Sequence, residues 1–119
     1  MKIGDKIFIA GHRGMVGSAI LRALHAGRFE NILTSSKQEL DLRDTSAVER
    51  FFERARPEYV FLAAAKVGGI KANIEHPADF LYDNLMIQSN IIHQSYRFGV
   101  KKLLFLGVHV SILVSVRNL

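Results

Sequence analysis

Residues 7–17 read Ile-Phe-Ile-Ala-Gly-His-Arg-Gly-Met-Val-Gly, an apolar run that passes through three glycines spaced three apart into a stretch of helical periodicity. Few local patterns restrict a fold as much. Gly11 permits a tight turn at the end of a strand, Gly14 lets the backbone come close to a ligand, and Gly17 lets the next helix lie against the sheet. Over Met15 to Ala26, Val16, Ile20, Leu21 and Leu24 share one helical face, as an element packed on a sheet requires. A strand, glycine turn and helix in this order aim the unpaired N–H groups of the helix start at an anion, and a dinucleotide pyrophosphate is the anion that fits.

The rest of the chain alternates apolar runs with helical stretches, which predicts an α/β fold: a Rossmann-type doubly wound parallel sheet of about four strands with helices on both faces. Strands are expected near residues 6–10, 31–34, 59–64 and 102–107. A helix is expected to start at Ser46, with Glu49 completing a capping box, and to turn Val48, Phe51 and Phe52 inward before Pro57. The longest helix is expected from Pro77 to about Phe98, ended by Gly99. Its Phe80, Leu81, Leu85, Ile87, Ile91, Ile92 and Tyr96 exceed what one sheet face needs, so part of that surface is expected to meet a second subunit or a deeper core.

With 119 residues the chain is one domain at most. It has no cysteine, which excludes a disulfide framework and thiolate metal sites. The N-terminus has no apolar signal-peptide core and no run of membrane-spanning length follows, so a soluble cytoplasmic protein without a membrane partner is expected. The formal charge of +5 comes from scattered residues; Arg50, Arg54 and Arg56 interleave with Glu49 and Glu53 as on a solvated helix face. Without an aromatic and basic platform, nucleic acid is not an expected partner. His12, His25, His76, His93 and His109 lack ligand spacing, and no metal site is expected. Asp79 and Asp83 lie near the start of the long helix, where its dipole accounts for them.

Cofactor preference follows from the end of the second strand. A site selective for NAD places a carboxylate there, about twenty residues after the glycines. This chain has Thr34-Ser35-Ser36-Lys37 and no carboxylate before Glu39. Two hydroxyls and the Lys37 ammonium suit a 2′-phosphate, with Arg13 as a second cation, so NADP is expected over NAD. Small residues in Leu62-Ala63-Ala64-Ala65 leave room for a ligand at the end of the third strand.

These residues, with Lys66-Val67-Gly68-Gly69-Ile70, Pro77-Ala78-Asp79-Phe80 and Ile87-Gln88-Ser89-Asn90-Ile91-Ile92, resemble the extended short-chain dehydrogenase/reductases. The likeness is to their nucleotide-sugar epimerase/dehydratase branch, and most closely to the members that act on GDP-4-keto-6-deoxymannose. The resemblance spans residues 6–107. It implies that Gly11, His12, Arg13, Gly14, Met15, Val16 and Gly17 hold the NADP pyrophosphate and that Lys37 meets the 2′-phosphate. It further implies that Asp41 and Leu42 flank the adenine, and that Ala64 and Ile87 line the cofactor pocket. The implied partners are NADP(H) and a GDP-sugar, in a homodimer built on the long helix. The implied chemistry is epimerisation beside a ketone followed by its reduction. Another nucleotide-sugar epimerase/dehydratase and a non-catalytic nucleotide-binding module remain alternatives.

The resemblance stops at Gly107. The family there continues Gly-Ser-Ser-Cys-Ile-Tyr-Pro, whereas this chain reads Gly107-Val108-His109-Val110-Ser111-Ile112-Leu113. Codons for the former, read one base out, give the latter, so residues 1–107 are expected to be the cofactor-binding part and 108–119 an out-of-frame tail. None of Tyr59, Tyr82 or Tyr96 has a lysine four residues later. No catalytic residue is therefore expected in this chain, nor the substrate domain. The tail alternates through Val108, Val110, Ile112, Val114 and Val116, like an edge strand with little charge and a tendency to aggregate.

Overall fold

The computed structural model describes residues 1–63, 77–106 and 111–114. At its centre lies β1 (Lys6–Ala10), buried from Ile7 onward, as a strand covered on both faces must be. It pairs in parallel with β2 (Asn31–Leu33), Phe8 opposite Leu33, and on its other side with β3 (Tyr59–Leu62), Phe8 opposite Val60. Beyond β3 runs β4 (Lys102–Leu106), also parallel, with Leu103 opposite Val60. The four parallel strands match those expected from the sequence. A fifth, β5 (Ser111–Val114), joins β4 antiparallel with Ile112 opposite Phe105, giving the order β2-β1-β3-β4-β5.

Because strand side chains alternate between faces, β1 supplies two separate cores. Ile7 and Ile9 meet Leu24 of α1 (Met15–Ala26), with Ile20, Leu21 and Phe61 around them. Phe8 and Ala10 face the other way, into Val48, Phe51 and Phe52 of α2 (Thr45–Ala55) and Ile91 of α3 (Pro77–Arg97). Helices on both faces make the sheet doubly wound. Val48, Phe51 and Phe52 lie inward as their spacing predicts.

The start of α2 corrects the sequence reading. Ser46 is not the cap and Glu49 completes no box with it: Asp44 is the N-cap, its carboxylate accepting the Ala47 N–H at 3.1 Å. With the cap two residues earlier, the helix begins at Thr45. Thr45 is committed elsewhere, its hydroxyl donating to Asn90 Oδ1 at 3.0 Å, and Glu49 pairs with Arg97 at 3.1 Å. The reciprocal Ser-x-x-Glu arrangement occurs instead at Ser36 and Glu39. Asp44→Ala is expected to lower stability by about 1 kcal/mol, the usual worth of an N-cap, whereas Ser46→Ala leaves it unchanged; urea midpoints of the two variants check this.

At its far end α3 stops where Gly99 takes φ +70° and the Val100 N–H returns to the Ser95 carbonyl at 3.0 Å. The apolar excess read from its sequence is divided. Ile91 is fully buried, with Ile87 and Ile92 packed beside it, while Leu81, Tyr82, Leu85 and Tyr96 are exposed. Among the described residues no helix is long and apolar enough to cross a membrane, and no cluster of His, Asp or Glu could hold a metal ion.

Candidate nucleotide-binding groove

From β1 the chain moves outward to β2 on one side and then returns to β3 on the other. The adjacent carboxyl ends of β1 and β3 therefore face a crevice at the switch point, where open α/β sheets hold ligands. A groove of about 330 Å³ opens there, walled by the glycine turn, the segment after β2 and the first turns of α3.

The glycine turn forms one end. Gly11 leaves β1 at φ +88°, a left-handed conformation that strongly favours glycine, and its carbonyl accepts the Gly14 N–H at 3.2 Å. Gly17 is buried on the sheet side of α1, where an added Cβ would collide with the Gly11 carbonyl, 2.7 Å from its carbon, and lie 3.0 Å from His12 Cα. Gly14 differs. A Cβ there would meet the Gly11 oxygen at 3.6 Å, an ordinary contact, so packing among the described residues does not demand glycine at that position. Gly14 is the N-cap of α1, no side chain caps the helix, and its first turn carries no acidic residue. The N–H groups of that turn lack intrahelical acceptors, and the field of the helix there favours an anion.

The segment after β2 brings Ser35, Ser36 and Lys37 to the groove opposite His12 and Arg13. Ser36 is buried and its hydroxyl accepts the Glu39 N–H at 3.2 Å, while the Glu39 carboxylate accepts the Ser36 N–H at 3.1 Å. Hydrogen bonding to the carboxylate from the Ser36 backbone N–H foremost, and then from the Ser36 hydroxyl, holds the Glu39 carboxyl below its usual range. Glu39, the first acid after β2, is thus engaged in a local cap. Among the described residues neither Arg13 nor Lys37 has a carboxylate within ion-pair distance.

At the far end Leu40, Asp41, Leu42 and Arg43 face Asp83 and Ile87 of α3. Arg43 donates from Nε and Nη2 to the two oxygens of Asp41, at 3.0 and 2.9 Å, and from Nη1 to Asp83 at 3.4 Å. The guanidinium keeps the Asp41 carboxyl below the usual aspartate range, chiefly by hydrogen bonding to its charged form. Beneath this pair, Asn90 is 5% exposed and donates to the Leu42 carbonyl at 2.9 Å.

Eight of the residues singled out in the sequence line the groove: Gly11, His12, Arg13, Gly14, Lys37, Asp41, Leu42 and Ile87. Met15 and Val16 begin α1 beside it and are exposed, and Gly17 sits behind it as a packing glycine. Ala64 lies outside the described residues, as do the Lys66 to Ile70 run and residues 107–110 and 115–119. Arg43 and Asp83 were not singled out as groove residues. Asp83 pairs across to another element, which the helix dipole alone does not explain. The signal available was its position one turn before Ile87, on the same face of α3.

A sequence profile of the NAD dependent epimerase/dehydratase family matches residues 7–110. GDP-L-fucose synthase 1 of Arabidopsis thaliana is 59% identical over 102 residues, covering 86% of this chain and 32% of its own length. GDP-L-fucose synthase of Escherichia coli strain K12 is 55% identical over 103 residues, covering 87% and 32%. Among solved structures, a GDP-L-fucose synthetase from Naegleria fowleri bound to NADP superposes with a TM-score of 0.77 at 32% identity, over 88% of this chain and 34% of that one. A GDP-mannoheptose C4 reductase from Campylobacter jejuni with NADP bound superposes with a TM-score of 0.86 at 48% identity, over 90% and 34%. The chain thus spans about a third of the length of the curated relatives it matches. The resemblance read from the glycine turn and the later motifs agrees with these relatives, and with the doubly wound sheet and its switch-point groove it establishes that the chain belongs to the NAD dependent epimerase/dehydratase family.

Proposed function

We propose that this chain is the cofactor-binding portion of a GDP-L-fucose synthase, an enzyme that epimerises GDP-4-keto-6-deoxymannose and reduces it with NADPH. The observation that carries the proposal is Gly14, where among the described residues an added Cβ would meet only an ordinary contact, placed at the start of α1 without a side-chain cap and in the same groove as the cations Arg13 and Lys37. Such a site fits a pyrophosphate held by backbone N–H groups. Lys37, Ser35 and Arg13 would hold the 2′-phosphate, and Asp41 and Leu42 would flank the adenine. Ile87, with Ala64, would line the cofactor pocket. When bound, NADPH supplies the hydride for the reduction; the residues of this chain bind and orient it. With Glu39 engaged by Ser36, no carboxylate is presented at the position that would select an unphosphorylated ribose.

Fluorescence titration of the chain with NADPH and NADH tests this reading. Saturable binding is expected, tighter for NADPH, and Lys37→Ala is expected to reduce that preference about tenfold by removing a charge-assisted contact to phosphate. Equal affinity for the two nucleotides, or none for either, overturns the proposal.

The exposed stripe of Leu81, Tyr82, Leu85 and Tyr96 on α3 supports a further part of the reading, a homodimer joined through this helix. Residues 1–107 constitute the cofactor-binding part in this proposal, with 108–119 as out-of-frame text that sequencing across codons 100–125 checks. The pairing of β5 does not argue against that assignment, because joining a sheet edge needs only backbone groups.

A further inference from the structure

We infer that Arg43 is a positioning residue of the groove, tying the segment that carries Lys37 and Asp41 to α3 so that the far wall is set before a nucleotide arrives. The inference rests on reading the groove as a site for NADP. Residues 34–44 connect β2 to α2 without belonging to a helix or strand, and a segment of that kind orders only as far as its contacts hold it. It is attached to α3 at its base and at its lip. At the base, buried Asn90 donates to the Leu42 carbonyl. At the lip, a single guanidinium grips both oxygens of Asp41 and reaches Asp83.

The chemistry of that fork matters. Three directed donors in one plane span two carboxylates, a geometry that a lysine ammonium cannot reproduce. The Asp83 side chain is only 13% exposed, while those of Arg43 and Asp41 are 37% and 40% exposed. Pairs as open as Arg43 with Asp41 contribute little to global stability, so loss of the fork leaves the chain folded. Binding is affected more than folding. Without Arg43 the nucleotide must order the segment itself, which weakens association, and the Asp41 carboxylate faces a polyanion without the guanidinium that grips both its oxygens.

The test uses adenosine 2′,5′-bisphosphate, which carries the 2′-phosphate and lacks the nicotinamide, in calorimetric titrations of the whole chain. Arg43→Leu is expected to weaken binding about tenfold, equivalent to about 1.4 kcal/mol, with an unchanged urea midpoint. Arg43→Lys is expected to recover less than half of that loss on a logarithmic scale. Asp83→Asn is expected to weaken binding about threefold on its own and by less than that in the Arg43→Leu background, as coupled residues do; this variant carries the test if Arg43→Leu does not fold. Wild-type binding with Arg43→Leu within twofold of it, full rescue by lysine, or an equal Asp83→Asn loss in both backgrounds overturns the inference alone. Failure of the wild-type chain to bind the bisphosphate overturns the reading of the groove and this inference with it.

Discussion

Gly17→Ala is expected to cost roughly 3 kcal/mol or more of stability, above the usual range for one extra methylene in a packed interior because the obstacle is backbone. The added Cβ would run into the Gly11 carbonyl and press on His12 Cα, and neither can rotate aside as a side chain could. Relief requires α1 to lift from the sheet, which opens the core of Ile7, Ile9 and Leu24, or the turn to leave the left-handed conformation of Gly11. Either movement also spoils the groove. Gly14→Ala makes the contrast. Its Cβ meets an ordinary contact, so unfolding is expected to shift by about 1 kcal/mol or less, within the cost of a changed N-cap, while NADPH binding is lost. Urea unfolding and NADPH titration of both variants separate a glycine needed for packing from one needed for a ligand. Equal loss of stability in the two would show that the distinction is wrong.

Phe52→Ala is expected to remove about 3–5 kcal/mol, the usual range for deleting a fully buried aromatic ring. Phe52 is completely buried and meets Phe8 edge-on with ring centres 6.0 Å apart, and Phe51 at 5.8 Å. Phe8 and Phe51 close the triangle at 4.6 Å. The cluster joins the central strand to α2, so the vacated space cannot be filled by movement of one side chain. Against a typical stability of about 5–15 kcal/mol, that loss is a large fraction of the whole and is expected to lower the melting temperature by more than about 10 °C. Thermal melting followed by circular dichroism is the measurement, and a melting temperature within a few degrees of wild type would contradict the expectation.

The sheet was legible because its signals are redundant. β1 is buried from Ile7 to Ala10 and ends in a glycine that must turn, and two independent rules lead to the same strand. The start of α2 was less legible because Asp44, Thr45 and Ser46 are all competent caps. Which one serves depends on Asn90, distant in sequence, engaging Thr45. The same limit hid the bond between Arg43 and Asp83. Pattern places Asp83 on the face of Ile87, but only the folded chain brings residues forty apart within reach. The glycine turn could be read more fully, because its spacing already assigns each glycine a different role. The structure separates them: Gly11 for its backbone angle, Gly17 for proximity, and Gly14 for neither.

The direction of β5 has a consequence for how the sheet can grow. A doubly wound sheet extends by laying parallel strands outward from the switch point, but β5 meets β4 head to tail and occupies its hydrogen-bonding groups. A parallel newcomer would first have to displace it. The edge left open belongs to Ser111–Val114, a four-residue strip without a charged residue, while the opposite edge is the three residues Asn31–Leu33. Short edges discourage pairing with other chains, and the absence of charge invites it. The two rims of the sheet are therefore unequal: one is finished by brevity, and the other is an uncharged antiparallel strand that stands where a parallel one would be laid.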